Sequence, residues 1–217
     1  MRKLLLATTL LAWAVSPSLA DTATGVFSSD HCTGGCGTAP FASISVTEGT
    51  NSLAFTISML NGNTIINTGF PVSFGFNLVG DPTVAFSGLT SGFSAVGTTA
   101  GSYQVDGFGN FEYGVLWNTQ GGGFGSAGPL QFTITAAGLS LASLAEFSTG
   151  PGSEHPIMAL DIFSGTTMNT GPVDLSVGLV PTTQSVPGPI AGAGLPGLLA
   201  CLGLIGLGRF RRWRSVA

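Results

Sequence analysis

Short runs in which apolar and small polar residues alternate recur along the middle of this chain. In the clearest run, Leu53, Phe55, Ile57 and Met59 occupy every second position. A period of two places such side chains on one face of a β-strand. The same pattern predicts further strands at Phe70–Leu78, Phe111–Trp117, Leu130–Ile134, Ile157–Phe163 and Val173–Leu179.

Breaks rich in Gly, Pro and Asn separate these runs, which favours antiparallel strands joined by turns. Asn61 and Gly62 both tolerate a positive φ angle, so we expect a hairpin turn there. Pro71 cannot donate a backbone hydrogen bond, which predicts that its strand starts at a sheet edge. The segment Leu139–Phe147 is the candidate for a short helix.

We therefore predict a mainly β fold, an antiparallel β-sandwich over residues 21–180, with jelly-roll and immunoglobulin-like arrangements as alternatives. A high Gly content is typical of disordered chains, but 15 Phe residues and a positive mean hydropathy provide enough apolar surface for a core. The side chains expected to share that core are Phe55, Phe74, Phe76, Tyr113, Trp117, Phe132 and Ile134.

The charges of the 217-residue chain are sharply segregated. Its ten carboxylates all lie between Ala20 and Arg209, a stretch without Lys or Arg, so the body carries a charge of about −10. Phosphate backbones need Lys or Arg for affinity, so we exclude nucleic acid as a partner. The six cationic side chains lie at the two ends of the chain: Arg2, Lys3, Arg209, Arg211, Arg212 and Arg214.

Residues 1–20 have the pattern of a secretory signal peptide. Two cationic residues precede an apolar run from Leu4 to Val15, and Pro17 follows that run. The run is shorter than the roughly 20 residues that cross a bilayer, and Ala20 completes a small-residue cleavage pattern. We expect signal peptidase to cut between Ala20 and Asp21 and the body to be exported.

The C-terminal end combines a linker with a proline motif over 181–189, an uncharged segment over 190–208 and an Arg-rich tail over 209–217. As a helix rising 1.5 Å per residue, the uncharged segment would extend about 28 Å, close to the hydrocarbon thickness of a membrane. We predict one transmembrane helix, with the arginines kept in the cytoplasm by the positive-inside rule. The motif residues are Val186, Pro187, Gly188 and Pro189, and the tail cations are Arg209, Arg211, Arg212 and Arg214.

This order of proline motif, apolar span and terminal arginines resembles the PEP-CTERM sorting signal of Gram-negative bacteria, over about residues 186–214. Gly188 stands where the family has Glu. The resemblance implies processing by the membrane protease exosortase, a transient stay in the inner membrane and delivery to the cell surface or extracellular matrix. It also implies an association with exopolysaccharide and biofilm. A plain C-terminal anchor that is never cleaved is the alternative.

Cys32 and Cys36 flank a three-residue loop that contains two glycines. In an exported protein such a pair is expected to form a disulfide, and we predict that bridge. Free thiols are one alternative. The other is a metal site built from His31 and both thiolates, although it would lack the fourth ligand that zinc prefers.

The body shows no arrangement typical of an active site, and we expect no enzymatic activity. Serine hydrolysis needs a base within reach of the nucleophile, yet His31 and His155 are the only imidazoles and the body has no Lys. We expect no cofactor, with calcium as the one candidate ion. Asp106 and Asn110 lie in a loop whose hard oxygen atoms suit calcium, an ordinary Asp-Gly turn being the alternative.

These expectations describe a non-catalytic secreted or cell-surface protein of the exopolysaccharide or biofilm matrix. The first alternative is a glycan-binding β-sandwich that stacks sugars on Trp117, Tyr103 or Tyr113. The second alternative is a secreted polysaccharide hydrolase, in which two of the ten carboxylates would act as a catalytic pair.

Overall fold

The computed structural model describes residues 20–121, 125–175 and 177–182. The predicted cleavage position Ala20–Asp21 lies at the start of this range. The remainder of the predicted signal peptide, the proline motif, the apolar segment 190–208 and the Arg-rich tail lie outside the described residues. Among the described residues, no helix is both long and apolar enough to span a membrane.

The described residues form short strands and one 3-10 helix, Leu141–Leu144. This single turn replaces the short helix predicted over Leu139–Phe147. The last strand continues to Thr182, two residues beyond the predicted end of the domain. In chain order the strands are β1 (Thr22–Phe27), β2 (Ser29–Asp30), β3 (Ala42–Gly49), β4 (Ser52–Met59), β5 (Thr64–Ile65), β6 (Phe74–Phe76), β7 (Ala85–Ser87), β8 (Phe93–Val96), β9 (Tyr103–Val105), β10 (Gly109–Phe111), β11 (Tyr113–Trp117), β12 (Leu130–Thr135), β13 (Met158–Phe163), β14 (Thr170–Asp174) and β15 (Val180–Thr182).

The strands form two larger antiparallel sheets and one separate hairpin, so the mainly β, antiparallel prediction is confirmed. Sheet A has the order β15-β1-β3-β4-β12-β7. Sheet B has the order β2-β14-β13-β6-β11-β8, and β5 also pairs with β13. Strands β9 and β10 pair only with each other among the described strands.

A single core lies between the inner faces of sheets A and B, in a sandwich-like arrangement. Phe55 of sheet A stacks on Phe132 with ring centroids 4.6 Å apart and meets Phe74 and Phe76 of sheet B at 6.3 and 5.4 Å. All seven side chains predicted to share a core belong to it, Trp117 as a partly buried neighbour. The predicted core is therefore confirmed.

A second, smaller apolar cluster covers the outer face of sheet B. It contains Phe108 and Phe111 from the β9–β10 hairpin together with Ala159 of β13. The sequence predicts Phe111 on the same face as Tyr113, and that part of the prediction is wrong. Glu112 separates β10 from β11, so Phe111 packs on the outer face of sheet B while Tyr113 faces the main core.

The predicted hairpin at Asn61–Gly62 is wrong, although the turn itself forms. Both residues have a positive φ angle, and the Asn63 N–H donates to the Leu60 carbonyl at 2.9 Å. The turn leads from β4 in sheet A to β5 in sheet B, because β5 pairs with β13 rather than with β4. It is therefore a crossover between the sheets.

Two other strand predictions need correction. Pro71 lies before β6, and β6 sits between β13 and β11, so this strand is internal rather than at an edge. The predicted strand Val173–Leu179 is displaced toward the N-terminus, because pairing of β14 with β13 runs from Thr170 to Asp174.

Candidate functional site

Three carboxylates from three separate loops meet at one end of the body. Asp81 lies in a turn after β6, Glu112 lies between β10 and β11, and Glu146 follows the 3-10 helix. Their carboxylate oxygens lie within 4.8 Å of one another. We call these three residues the acidic triad. The triad could not be predicted from the sequence, because no short spacing connects its three members.

Backbone hydrogen bonds hold the triad in place. The buried Asn77 side chain accepts from the Glu112 N–H at 2.8 Å and donates to the Phe147 carbonyl at 2.7 Å. This one amide therefore joins the backbone at Glu112 to the backbone just after Glu146. The Leu78 N–H also approaches the Glu112 carboxylate, at 3.4 Å.

The triad concentrates uncompensated negative charge. The pKa of Glu112 is raised to about 7, chiefly by partial burial. The Leu78 N–H opposes this rise, while the charge of Glu146 and both a hydrogen bond with Asp81 and its charge act in the same direction as burial. Burial followed by the charge of Glu112 raises the pKa of Tyr113 to about 12, and the Tyr113 hydroxyl donates to the Pro82 carbonyl at 2.7 Å. Chemically, such a cluster can bind a hard cation, pair with a cationic side chain or hold a proton near neutral pH.

The Cys32–Cys36 disulfide is present, so the predicted bridge is confirmed. The Asp30 carboxylate accepts hydrogen bonds from the N–H groups of both cysteines, each at 3.3 Å. Asp30 and the two thiols also form the second group of potential metal ligands in the described residues. Since the sulfur atoms are bonded to each other, they are not thiolate ligands in this state.

The two calcium candidates lie in the β9–β10 hairpin, with Asp106 exposed at its tip and Asn110 in β10. The Phe108 N–H donates to the Val105 carbonyl at 3.1 Å and Gly107 has a positive φ angle, so the loop has the backbone of an Asp-Gly turn. The backbone of Asn110 forms two hydrogen bonds with Thr149, at 2.6 and 3.0 Å.

The three aromatic residues that are candidates for sugar stacking pack largely against other side chains of the body. Tyr113 is fully buried in the core. Trp117 lies against Phe93 with ring centroids 4.8 Å apart, and its ring closes on Gly92 so tightly that a Cβ there would come within 2.4 Å. Tyr103 is half-buried and packs beside the second apolar cluster. Of the three, only Tyr103 and Trp117 retain partial exposure.

The outer face of sheet A is an array of short hydroxyl side chains. The register aligns Thr24, Ser45 and Thr56 in one row across three strands. In the next row the Thr22 and Thr47 hydroxyls lie 3.2 Å apart. Strands about 4.8 Å apart and same-face residues about 6.8 Å apart give such an array two regular spacings. Its outward hydroxyl residues are Thr22, Thr24, Ser43, Ser45, Thr47, Ser52, Thr56, Ser58, Ser87, Thr133, Thr135 and Thr182.

No charged side chain occupies an outward position on the described strands of this hydroxyl face. A shallow groove of about 400 Å³ crosses it, lined by Thr24, Ser45 and Thr56 and by the apolar Val26 and Val180. Each hydroxyl can both donate and accept a hydrogen bond. The face therefore suits an uncharged ligand that is itself rich in hydroxyl groups.

Two further carboxylates are buried on the outer side of sheet B. The Asp161 carboxylate accepts from the N–H and the hydroxyl of Thr68, at 2.9 and 2.6 Å, while its other oxygen has no hydrogen-bond partner among the described residues. Within the same part of the chain, one oxygen of Asp174 is likewise buried without a hydrogen-bond partner. Burial raises the pKa of both groups to about 6, and the charge of Glu154 adds to the rise at Asp174.

Glu154 and Asp161 are held by different partners. The Glu154 carboxylate accepts from the Ser29 hydroxyl at 3.4 Å, near Asp174, whereas Asp161 is covered by Thr68.

Comparison with protein-family models, with curated proteins and with solved structures finds no match to this chain.

Proposed function

We propose that this chain is a non-catalytic secreted or cell-surface protein with a β-sandwich body, delivered by the exosortase route to an exopolysaccharide or biofilm matrix. The observation that carries the proposal is the order of segments after Thr182. A Val-Pro-Gly-Pro motif, an apolar segment and an arginine cluster follow one another, and this order resembles a sorting signal.

The charge distribution supports export of the body. All ten carboxylates lie between the two cationic ends, which are the parts that the proposal assigns to processing. Arginines next to an apolar segment oppose translocation, whereas a stretch without Lys or Arg does not. The disulfide also suits an oxidising compartment outside the cytoplasm.

The test of the sorting proposal separates recognition by a protease from simple anchoring. A plain anchor depends on apolar length and flanking arginines, whereas recognition needs the extended backbone that Pro187 and Pro189 impose. We expect the double variant Pro187→Ala/Pro189→Ala to accumulate at full length in the inner membrane. Wild-type protein should do the same in cells that lack exosortase.

The matched control is Pro181→Ala, which changes a proline in β15 outside the motif. This variant should be processed like the wild type. Equal processing of the double variant and the control would contradict the proposal and favour a permanent anchor.

The second candidate function is binding of a neutral glycan, and the uncharged hydroxyl face favours it. Introducing charge with Ser45→Glu/Thr56→Glu should abolish retention on a glycan array, because a bound neutral glycan would remove water from both carboxylates without supplying a cationic partner. The control Ser153→Glu places the same charge on an exposed loop. Glycan binding that is retained by the double variant would contradict binding at the outer face of sheet A.

A further inference from the structure

An apolar groove opens beside the 3-10 helix, at the end of the body that also carries the acidic triad. Its volume is about 360 Å³. Leu144 and Ile157 are buried beneath it and form its floor. The residues with apolar side chains that line it are Leu141, Leu144, Ala145, Phe147, Ile157 and Leu179.

Large apolar side chains around this groove remain in solvent. Phe147 is 62% exposed, and Val79 and Val177 are 55% and 69% exposed. The Val79 N–H donates to the Ser143 carbonyl at 2.9 Å, which places Val79 against the helix, and Val177 directly precedes the lining residue Gly178. Contiguous exposed apolar residues around a concave surface are typical of an interaction site.

The acidic triad supplies the charge at the rim of the groove. Glu146 lies between Ala145 and Phe147, which both line the groove. The Asn77 amide then connects the Phe147 carbonyl to the backbone of Glu112, so triad and groove share one supporting hydrogen-bond network. Since residues 21–208 contain no Lys or Arg, no ammonium or guanidinium group of the described body can pair with these carboxylates.

We propose that the groove and the acidic triad together form a docking site for a protein segment that carries an apolar side chain next to an Arg or Lys. The apolar side chain enters the groove against Phe147 and Leu144. The cationic group pairs with the carboxylates of Asp81, Glu112 and Glu146. Complementary charge beside an apolar anchor gives both orientation and affinity.

Other ligand classes fit only part of this surface. A divalent cation would bind the triad but leave the exposed apolar residues uncovered. A neutral glycan could donate hydroxyl groups to the three carboxylates but would supply no positive charge to balance them. A nucleic acid would be repelled by them. The docking site does not depend on the delivery route proposed above.

The test is selection of peptides from a random heptapeptide display library on the immobilised full chain. We expect enrichment of sequences in which an aromatic or aliphatic residue lies within two positions of Arg or Lys. Fluorescence anisotropy of the best peptide should then show an affinity about tenfold lower for Phe147→Ala, because the central apolar contact is lost. Asp81→Asn/Glu146→Gln should weaken binding about three- to tenfold and remove most of its salt dependence.

Matched controls exist for both changes. Met168 is 66% exposed, so Met168→Ala removes a comparable exposed apolar side chain, and Asp106→Asn removes an exposed carboxylate elsewhere. Both controls should bind like the wild type, and unchanged circular dichroism would show that all variants fold. Enriched peptides without a basic residue, a lack of enrichment, or equal binding by Phe147→Ala and Met168→Ala would each overturn the proposal. Calcium that competes with the peptide would support use of the triad, whereas peptide binding that requires calcium would contradict direct pairing.

Discussion

Sheet A and sheet B bury their strands in different ways. In β4 of sheet A, Leu53, Phe55 and Ile57 are buried while Ala54 between them is exposed. In β13 of sheet B, every residue from Met158 to Ile162 is buried. Sheet A therefore has one face in the core and one in solvent, whereas the central strands β6 and β13 of sheet B are covered on both faces.

The β9–β10 hairpin covers Ala159 on the outer face of β13, and Thr68 covers Asp161 on the same face. Phe111 packs on the outer face of sheet B so closely that a Cβ at Gly75 would come within 2.8 Å of the Phe111 ring. A glycine is therefore required in the middle of β6, where a strand residue normally has a side chain. A strand with one solvent-facing side, such as β4, therefore alternates buried and exposed residues. Where aromatic side chains also cover the outer side, as over β6, that side needs small residues such as Gly75.

The largest effects should come from both faces of sheet B. Phe74 is fully buried in the main core and Phe111 is fully buried in the outer cluster. We expect Phe74→Ala and Phe111→Ala each to lower the free energy of unfolding by about 3–5 kcal/mol. Urea denaturation would measure this. A cost below about 1 kcal/mol for Phe111→Ala would mean that the outer face of sheet B is not a true second core.

The buried Asp161 should make stability depend on pH. Its pKa is raised from 3.8 to about 6 by burial, against the two hydrogen bonds from Thr68. The folded state then binds a proton more tightly than the unfolded state, so this contribution is fully present below about pH 4 and is lost as the pH rises through about 6. The loss corresponds to about 3 kcal/mol at most.

Asp161→Asn should reduce this pH dependence because the amide does not ionise. Denaturation midpoints measured between about pH 4 and pH 7 should fall less steeply for the variant than for the wild type. Asp174→Asn should add to the effect, because burial and the charge of Glu154 also raise the pKa of Asp174. An unchanged slope in the double variant would show that these carboxylates are not buried as described.

The disulfide should have an intermediate effect. The loop it closes is fastened to the β13–β14 connection, because the Ser164 hydroxyl donates to the Cys36 carbonyl and the Asn169 amide donates to the Gly35 carbonyl, both at 2.8 Å. For so short a loop, Cys32→Ser/Cys36→Ser should cost about 2 kcal/mol. The same loss on reduction of the wild type, and none on reduction of the variant, would identify the bridge as the cause.

The smallest effects should come from the outer face of sheet A. Thr133 lies there between β4 and β7, with its side chain half-exposed. Thr133→Ala should change the free energy of unfolding by no more than about 0.5 kcal/mol. A loss as large as that of Phe111→Ala would indicate that this face is covered too, and the comparison of the two sheets would fail.

The regular parts of the fold could be predicted from the sequence because burial on one side leaves a clear period. The alternation in β4 and β12 and the shared aromatic core follow directly from it. Phe111 could not be placed, because its spacing from Tyr113 also fits a single continuous strand. Asn61 and Gly62 predicted the turn but not the strand that follows it, since local backbone geometry does not specify which sheet the next strand joins.

The acidic triad could not be predicted because it depends on long-range topology. Asp81, Glu112 and Glu146 come from three loops that meet only after both sheets have formed. The sequence does contain one related signal, which is the complete lack of Lys and Arg in the body. That lack means that a cluster of carboxylates formed by folding has no Lys or Arg of the body to pair with.

The measurement that tests the central claim most directly is mass spectrometry of both ends of the mature protein from native cells with active exosortase. The account predicts an N-terminus at Asp21 and a C-terminus upstream of residue 190, with no peptide from residues 190–214 in the outer fraction. A mature protein that keeps residues 190–214 would contradict the sorting proposal and identify the chain as a single-pass surface anchor.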